Sequence, residues 1–216
     1  MVTVQAPDFA SLVGGAVCLD FANTVGPRRP SPEDRPTDHI PDVQRLLGWA
    51  AHVGLLTGQQ SAVLSRSADQ DPESAAAVLG DARWLREAIY DAFSAVADGA
   101  QAPQVALDAI QSAYLTALSQ ARLTRVSSGL GWEWPNSDSL EQVLWPIARS
   151  AVDLALSDQL ARVRRCPGDD GHCGWLFLDL SKSGTRRWCS MRTCGSRVKS
   201  RRQVERLRTA RASNPH

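Results

Sequence analysis

The chain has 216 residues, of which 43% are hydrophobic, and its 24 Lys and Arg against 23 Asp and Glu give a formal net charge of +1. This length accommodates one medium-sized domain and a small appendage. No stretch approaches the roughly 18 apolar residues that a membrane span needs, and the first residues lack the basic and apolar regions of a signal peptide. We therefore expect a cytoplasmic protein with no membrane segment.

The near-neutral net charge conceals an uneven distribution. Residues 162–216 hold fourteen Lys and Arg against four Asp and Glu, a balance of +10, whereas residues 1–161 hold ten against nineteen, a balance of −9. An acidic body with a basic tail indicates that the tail binds a nucleic acid or another polyanion. The alternative is a solvated tail that docks on its own acidic domain.

The first predicted element precedes a proline-rich loop. Read as a helix, it places six residues on one stripe: Val13, Ala16, Val17, Asp20, Phe21 and Thr24. Because Asp20, Asn23 and Thr24 are polar residues among apolar neighbours, they are either structural hydrogen-bonding groups or the lining of an effector pocket. Four prolines between residues 27 and 36 then predict an irregular loop.

Apolar residues at intervals of three and four predict the helices that follow. The first begins near Pro41 and closes near Gly54 or Gly58. The clearest spans residues 73–98, with Gly99 as its C-terminal cap, and another covers residues 103–119.

The sequence pattern changes after residue 121. Residues 122–126 and 130–134 flank Ser127, Ser128 and Gly129, which predicts a β-hairpin. Ser139 and Gln142 predict a capping box at the start of a long helix that reaches about Arg162, with a kink or restart at Pro146. We expect residues 1–160 to fold without the finger, because their apolar stripes look complete.

Four cysteines in the basic tail carry the strongest signal: Cys166, Cys173, Cys189 and Cys194. Their spacing is C-x6-C, fifteen residues, then C-x4-C, which can place four thiolates around one tetrahedral Zn²⁺. In a reducing cytoplasm such cysteines are more often metal ligands than disulfides, and redox cysteines or an iron–sulfur cluster are the alternatives. We expect Cys18 to be a core residue and His172 to be exposed rather than a ligand.

The local pattern around these cysteines predicts a hairpin and a helix. Residues 175–179, a turn over 182–185 and the returning residues 186–189 form the hairpin, which brings Cys173 and Cys189 together. Cys194 begins the last helix, whose dipole favours the negative thiolate centre. We expect the amides of Gly174 and Gly195, which directly follow ligands, to approach the thiolate sulfurs.

Basic residues surround and follow these ligands. We expect Arg197 and Arg201 to lie near the N-terminal end of a groove-binding helix and Arg186 and Arg187 to contact the phosphate backbone. The full set of predicted DNA contacts is Arg186, Arg187, Arg192, Arg197, Lys199, Arg201, Arg202 and Arg206.

The stretch from Cys173-Gly174-Trp175 through Trp188-Cys189 to Cys194-Gly195-Ser196-Arg197 resembles the CGNR-type zinc finger. Residues 19–24 and 144–149 are similar to the ABATE-type domain that accompanies this finger. The resemblance covers nearly the whole chain and implies a stress-related bacterial transcription regulator whose zinc finger binds DNA. Ser196 stands where the finger family has asparagine, which puts base reading by that residue in doubt.

The predicted fold class is mainly α. Residues 1–160 form a helical domain with a small β-hairpin that senses a small-molecule effector, and residues 161–212 form a treble-clef-like zinc finger of a hairpin and a basic helix. An adaptor whose finger binds an acidic protein is the alternative function, and an enzyme that uses the N-terminal domain is a further alternative. The chain lacks a P-loop, a Rossmann glycine pattern, an HExxH helix and a nucleophile elbow, so we do not expect an enzyme. No oligomeric state is predicted.

Overall fold

The computed structural model describes residues 9, 11–126, 129–135, 137–168 and 172–212. Their α-helices are α1 (Val17–Ala22), α2 (Val43–His52), α3 (Gly58–Gln70), α4 (Pro72–Ala97), α5 (Gln104–Ser119), α6 (Trp145–Ala155) and α7 (Ser196–Ala212). The strands are β1 (Val25–Gly26), β2 (Thr37–Asp38), β3 (Arg122–Val126), β4 (Gly129–Glu133), β5 (Val163–Arg165) and β6 (Leu176–Leu178). They form three antiparallel pairs, β1–β2, β3–β4 and β5–β6. Within these residues no helix is both long enough and apolar enough to cross a bilayer.

Helix α4 is the central element of the fold. The Asp71 side chain accepts a hydrogen bond from the Ser74 amide at its N-terminus, and Pro72 occupies its first turn. Its apolar stripe is buried, and α4 packs against α1, α2, α3 and α5. The predicted helices over residues 73–98 and 103–119 are confirmed by α4 and α5.

Helix α3 was not predicted. It begins with a complete capping box in which Thr57 and Gln60 exchange side-chain and backbone hydrogen bonds. Only Leu64 and Ala68 are buried along its thirteen residues, so its apolar stripe is too thin to stand out in the sequence.

The predicted long helix from Ser139 to Arg162 is wrong at both of its ends, whereas the predicted restart at Pro146 is confirmed. The capping box is absent, since the Ser139 side chain makes no cap and Gln142 Nε2 instead donates to the Ser139 carbonyl at 3.0 Å. A 3₁₀ helix (Leu140–Val143) comes first, and α6 restarts with Pro146 in its first turn. After α6 the chain forms a second 3₁₀ helix (Asp158–Arg162) and then strand β5.

The predicted hairpin over residues 122–134 is confirmed by β3 and β4, which pair from Arg122–Glu133 to Val126–Gly129. Its turn residues Ser127 and Ser128 lie outside the described part of the chain. The Trp134 indole N–H donates to the Ala117 carbonyl at 2.7 Å, which fastens the segment after β4 to α5.

The hydrophobic core extends across the boundary predicted near residue 160. Val163, Leu176 and Leu178 are almost completely buried in the same cluster as residues of α1 and α4. Strand β6 packs on α1, and both β5 and β6 pack on α4. The core is therefore incomplete at residue 160, contrary to the expectation drawn from the apolar stripes.

Candidate metal centre and basic helix

The first two cysteines lie on the β5–β6 hairpin. Cys166 directly follows β5, and its N–H donates to the Trp175 carbonyl at 2.8 Å while its carbonyl accepts from the Gly174 N–H at 3.0 Å. Cys173 precedes β6, so the turn of the hairpin carries both thiols. The predicted pairing of residues 175–179 with 186–189 is wrong, because β5 is the partner and Val163 on that strand belongs to the core.

Two glycines shape this turn. Gly168 has φ +65°, and a Cβ there would lie 2.6 Å from the Cys173 nitrogen. Gly174 has φ +70°, and a Cβ there would lie 2.9 Å from the Arg28 Cβ. Asp169, Asp170 and Gly171 lie outside the described residues. Glycine at these two positions lets the hairpin turn close and lets the proline-rich loop approach it.

The second pair of cysteines leads into the basic helix. Cys189 precedes Ser190, whose side chain accepts a hydrogen bond from the Thr193 N–H at 3.3 Å. Cys194 lies in a π-helical turn (Met191–Gly195) that runs directly into α7. The hydroxyl of Ser196, the residue that departs from the finger family, donates to the Met191 carbonyl at 3.0 Å.

The two glycine amides predicted to approach thiolates donate elsewhere. The Gly174 N–H bonds the Cys166 carbonyl and the Gly195 N–H bonds the Ser190 carbonyl at 3.0 Å. These amides stabilise the backbone that carries the ligands rather than the sulfurs themselves.

The four thiols converge on one point. All four Sγ atoms lie within 4.8 Å of one another, and the Cys173–Cys189 and Cys189–Cys194 sulfurs are each 3.7 Å apart. Four sulfurs at 2.3 Å from a tetrahedral Zn²⁺ would be separated by about 3.8 Å. Sulfurs around an iron–sulfur cluster would be further apart, because several atoms separate them. The donor set therefore fits Zn²⁺.

Electrostatics favour a cation at this point. Hydrogen bonds with the other three thiols lower the pKa of Cys166, whereas hydrogen bonds with Cys166, Cys173 and Cys194 raise the pKa of Cys189. Four sulfurs this close cannot all ionise without a compensating charge. A divalent cation removes that repulsion and lets all four thiolates act as ligands.

His172 and Cys18 lie outside the metal centre. The His172 ring is half exposed, with Nδ1 3.2 Å from the Asp34 carboxylate, and the cluster found among the described residues consists of the four cysteines. Cys18 is fully buried in the core, and burial raises its thiol pKa to about 12. Cys18 is thus a neutral core residue, as predicted.

Arg186 is bound to the interior of the finger. Its guanidinium donates to four backbone carbonyls, those of Val13, Leu178, Trp188 and Cys189. It also stacks 4.4 Å from the centroid of the Phe177 ring. A side chain with this many internal acceptors has few donors left for a phosphate, which argues against the predicted backbone contact. Arg186 instead joins the finger to the segment before α1.

Six of the seven other predicted DNA contacts are exposed on the surface. Their side chains are exposed at Arg187, Arg192, Arg197, Lys199, Arg201 and Arg206. The Arg202 side chain lies outside the described residues. Helix α7 packs on the π-helical turn, its apolar Val204 is 46% exposed, and Arg197, Lys199, Arg201 and Arg206 are exposed along it.

The residues predicted as an effector pocket have structural partners instead. Asp20 Oδ1 accepts from the Gly14 N–H at 2.7 Å, and burial raises the pKa of this carboxyl. Asn23 is buried and bonds the backbone of Leu176. Thr24 is buried, and its hydroxyl donates to the Phe21 carbonyl at 2.8 Å. These contacts support the alternative interpretation of structural hydrogen-bonding groups.

Sequence reasoning missed Arg86, the buried partner of Thr24. Its guanidinium lies 3.2 Å from the Thr24 hydroxyl and forms a two-pronged ion pair with Asp38 at 2.8 and 2.9 Å. The available signal was an arginine at a position of the helix where the other residues are apolar. A charge at such a position is buried and needs a partner.

Comparison with known families agrees with this arrangement. The sequence model of the ABATE family, described as "putative stress-induced transcription regulator", matches residues 15–158, and the model of the CGNR zinc finger matches residues 162–207. No curated protein matches the chain.

Proposed function

This chain belongs to the ABATE family and carries a zinc-binding CGNR finger, and we propose that it is a transcription regulator that binds DNA through the surface formed by the π-helical turn and α7. We call this the basic surface, and its residues are Arg187, Arg192, Arg197, Lys199, Arg201, Arg202 and Arg206. Both family descriptions refer to regulators or fingers, and the proposal involves no catalysis.

One observation carries the proposal. The ligand Cys194 lies in the turn that leads into α7, so a metal bound there fixes the start of a helix on which Arg197, Lys199, Arg201 and Arg206 are exposed. Cations held in a defined geometry match the regular charge of a DNA backbone, and their binding releases condensed counterions. A tail that is only solvated would not need a metal centre at its N-terminal end.

The positions on the basic surface suggest different roles. Arg197 and Arg201 lie one turn apart at the N-terminal end of α7, the part of a recognition helix that reaches base edges in many DNA-binding proteins. Arg187 precedes the helix, next to Trp188, and we assign it to the phosphate backbone. Arg186 is left out of this set because its guanidinium donates to protein carbonyls.

Genome-wide footprinting of the tagged protein tests the function. We expect enrichment at discrete genomic sites that share a sequence. A Cys194→Ser variant should lose this enrichment. Absence of enrichment, together with capture of an acidic protein through the basic surface, would instead support the adaptor alternative.

A further inference from the structure

A cavity of about 320 Å³ lies inside the N-terminal domain, where α4, α5 and the start of α6 meet. Helix α5 lines it with four small side chains at intervals of three and four residues: Ala109, Ser112, Ala113 and Thr116. Because these side chains are short, they leave a gap opposite Asp81, Trp84 and Leu85 of α4. The volume is at the lower end of the range of small-molecule sites, so the cavity suits a ligand with few heavy atoms.

Two tryptophans line this cavity. Trp84 is 61% exposed, so packing in the core does not account for it, and the face of an indole attracts cations more strongly than other aromatic rings do. Trp145 is 5% exposed, and its indole N–H has no hydrogen-bond partner among the described residues. A buried donor without an acceptor is uncommon in a complete core. The packing around the cavity is therefore unfinished without a bound molecule.

The charged groups of the cavity are all negative. Asp81 on α4 and Glu141 on the first 3₁₀ helix line it and are exposed. Neither carboxylate has a hydrogen-bond or ion-pair partner within the described part of the chain. The described lining contains no Lys, Arg or His, and it contains none of the zinc ligands. Two unpaired carboxylates beside an indole attract a cation and repel an anion.

We propose that this cavity binds a small organic cation of the primary or quaternary ammonium class, with its charge held by Asp81, Glu141 and the indole of Trp84. All the lining residues lie within the part of the chain that matches the ABATE model. The small-molecule effector predicted from the sequence therefore binds here rather than at the polar residues of the segment 20–24, which have structural partners. Binding at this site requires neither zinc nor DNA.

Calorimetric titration of the zinc-loaded full chain, without DNA, tests the site. The probes are choline and 2-phenylethylamine, each compared with a neutral molecule of similar shape, 3,3-dimethylbutan-1-ol and 2-phenylethanol. At least one cation is expected to bind with a millimolar or lower Kd. Its neutral counterpart should bind at least about tenfold more weakly, because it loses the attraction to the carboxylates and the indole.

Variants of exposed residues locate the bound cation. The double variant Asp81→Asn with Glu141→Gln should weaken binding at least about tenfold, and Trp84→Ala should weaken it at least about threefold. Glu73→Gln, which removes an exposed carboxylate of α4 outside the cavity, should leave the Kd unchanged. Circular dichroism of each variant checks that the helices are retained.

Three results would overturn the assignment. The first is failure of both cations to bind, and the second is binding of a neutral counterpart as tight as that of its cation. The third is binding that survives both the double variant and Trp84→Ala. Analytical ultracentrifugation identifies the competing occupant, since a wild-type dimer that Trp84→Ala converts to a monomer, with no cation bound, would assign this face to a second copy of the chain. Because the titrations contain no DNA, their failure leaves the proposed DNA binding standing.

Discussion

The side chain of Asn23 makes two hydrogen bonds to the backbone of Leu176, a residue 153 positions away. Asn23 Nδ2 donates to the Leu176 carbonyl at 2.8 Å, and the Leu176 N–H donates to Asn23 Oδ1 at 2.9 Å. The Asn23 amide thus forms the hydrogen bonds with β6 that a neighbouring strand would form. Both residues are buried, so the end of α1 and the zinc finger are joined inside the core.

Asn23→Ala should destabilise the whole protein. It leaves the Leu176 N–H and carbonyl buried without partners, which costs about 2 to 4 kcal/mol of the free energy of unfolding. Denaturant unfolding followed by circular dichroism measures the loss, and zinc release followed in the same titration should shift to the same extent. Gln59→Ala on the exposed face of α3 is the control. Zinc release that occurs in a separate, unshifted transition would contradict the joint core.

A chain that ends at Arg162 should not unfold cooperatively. It lacks the core side chains of Val163, Leu176 and Leu178, and each such side chain contributes about 1.5 to 3 kcal/mol when fully buried. Their sum is comparable with the 5 to 15 kcal/mol by which domains are stable. A chain that ends at Ser196 keeps this core and should stay folded with zinc bound. A sharp unfolding transition in the shorter chain would restore the view that residues 1–160 fold alone.

Loss of a single ligand should remove the metal. Purified wild-type protein should contain one zinc per chain, and Cys189→Ser or Cys194→Ser should contain almost none, because three thiolates leave the tetrahedral site open. Cys18→Ala is the matched control and should retain zinc, since its thiol is buried in the core. Mass spectrometry measures the zinc content of each variant. One zinc per chain in either serine variant would refute the ligand assignment.

Arg186 and Arg187 should behave differently although they are adjacent. Arg186→Ala removes one donor from each of four carbonyls and should lower the free energy of unfolding by about 2 to 4 kcal/mol. Arg187→Ala removes an exposed side chain and should change stability by less than about 0.5 kcal/mol. Thermal unfolding of both variants tests this contrast. Equal stability of the two would show that the internal contacts of Arg186 contribute little.

The sequence predicted well those elements that depend on interactions between residues close in the chain. Long helices such as α4 have periodic apolar residues and local caps, so they were predicted within a residue or two. The four zinc ligands were predicted because the preference of Zn²⁺ for thiolates restricts residue type and spacing. Residues 175–179 were correctly expected to be extended, but their strand partner was not identified.

The errors lie where distant segments meet. Asn23 and Arg86 obtain their partners from segments far away in the chain, and no local pattern states which partner that is. Arg186 looked like an exposed base beside Arg187, and only the positions of Val13 and Leu178 show that it points inward. A basic residue in a finger can therefore serve the protein or a ligand, and composition alone does not separate the two.

DNA affinity measured as a function of salt tests the central claim most directly. With zinc-loaded protein and fluorescent duplex DNA, anisotropy between 50 and 200 mM salt should give log affinity that falls linearly with log salt, with a slope of about −4 to −5 if five of the exposed basic side chains contact phosphates. Arg187→Ala should reduce that slope by about one on every sequence, whereas Arg197→Ala should also relax sequence preference. Absence of binding at 50 mM salt, or a slope that neither substitution changes, would contradict DNA binding by the basic surface.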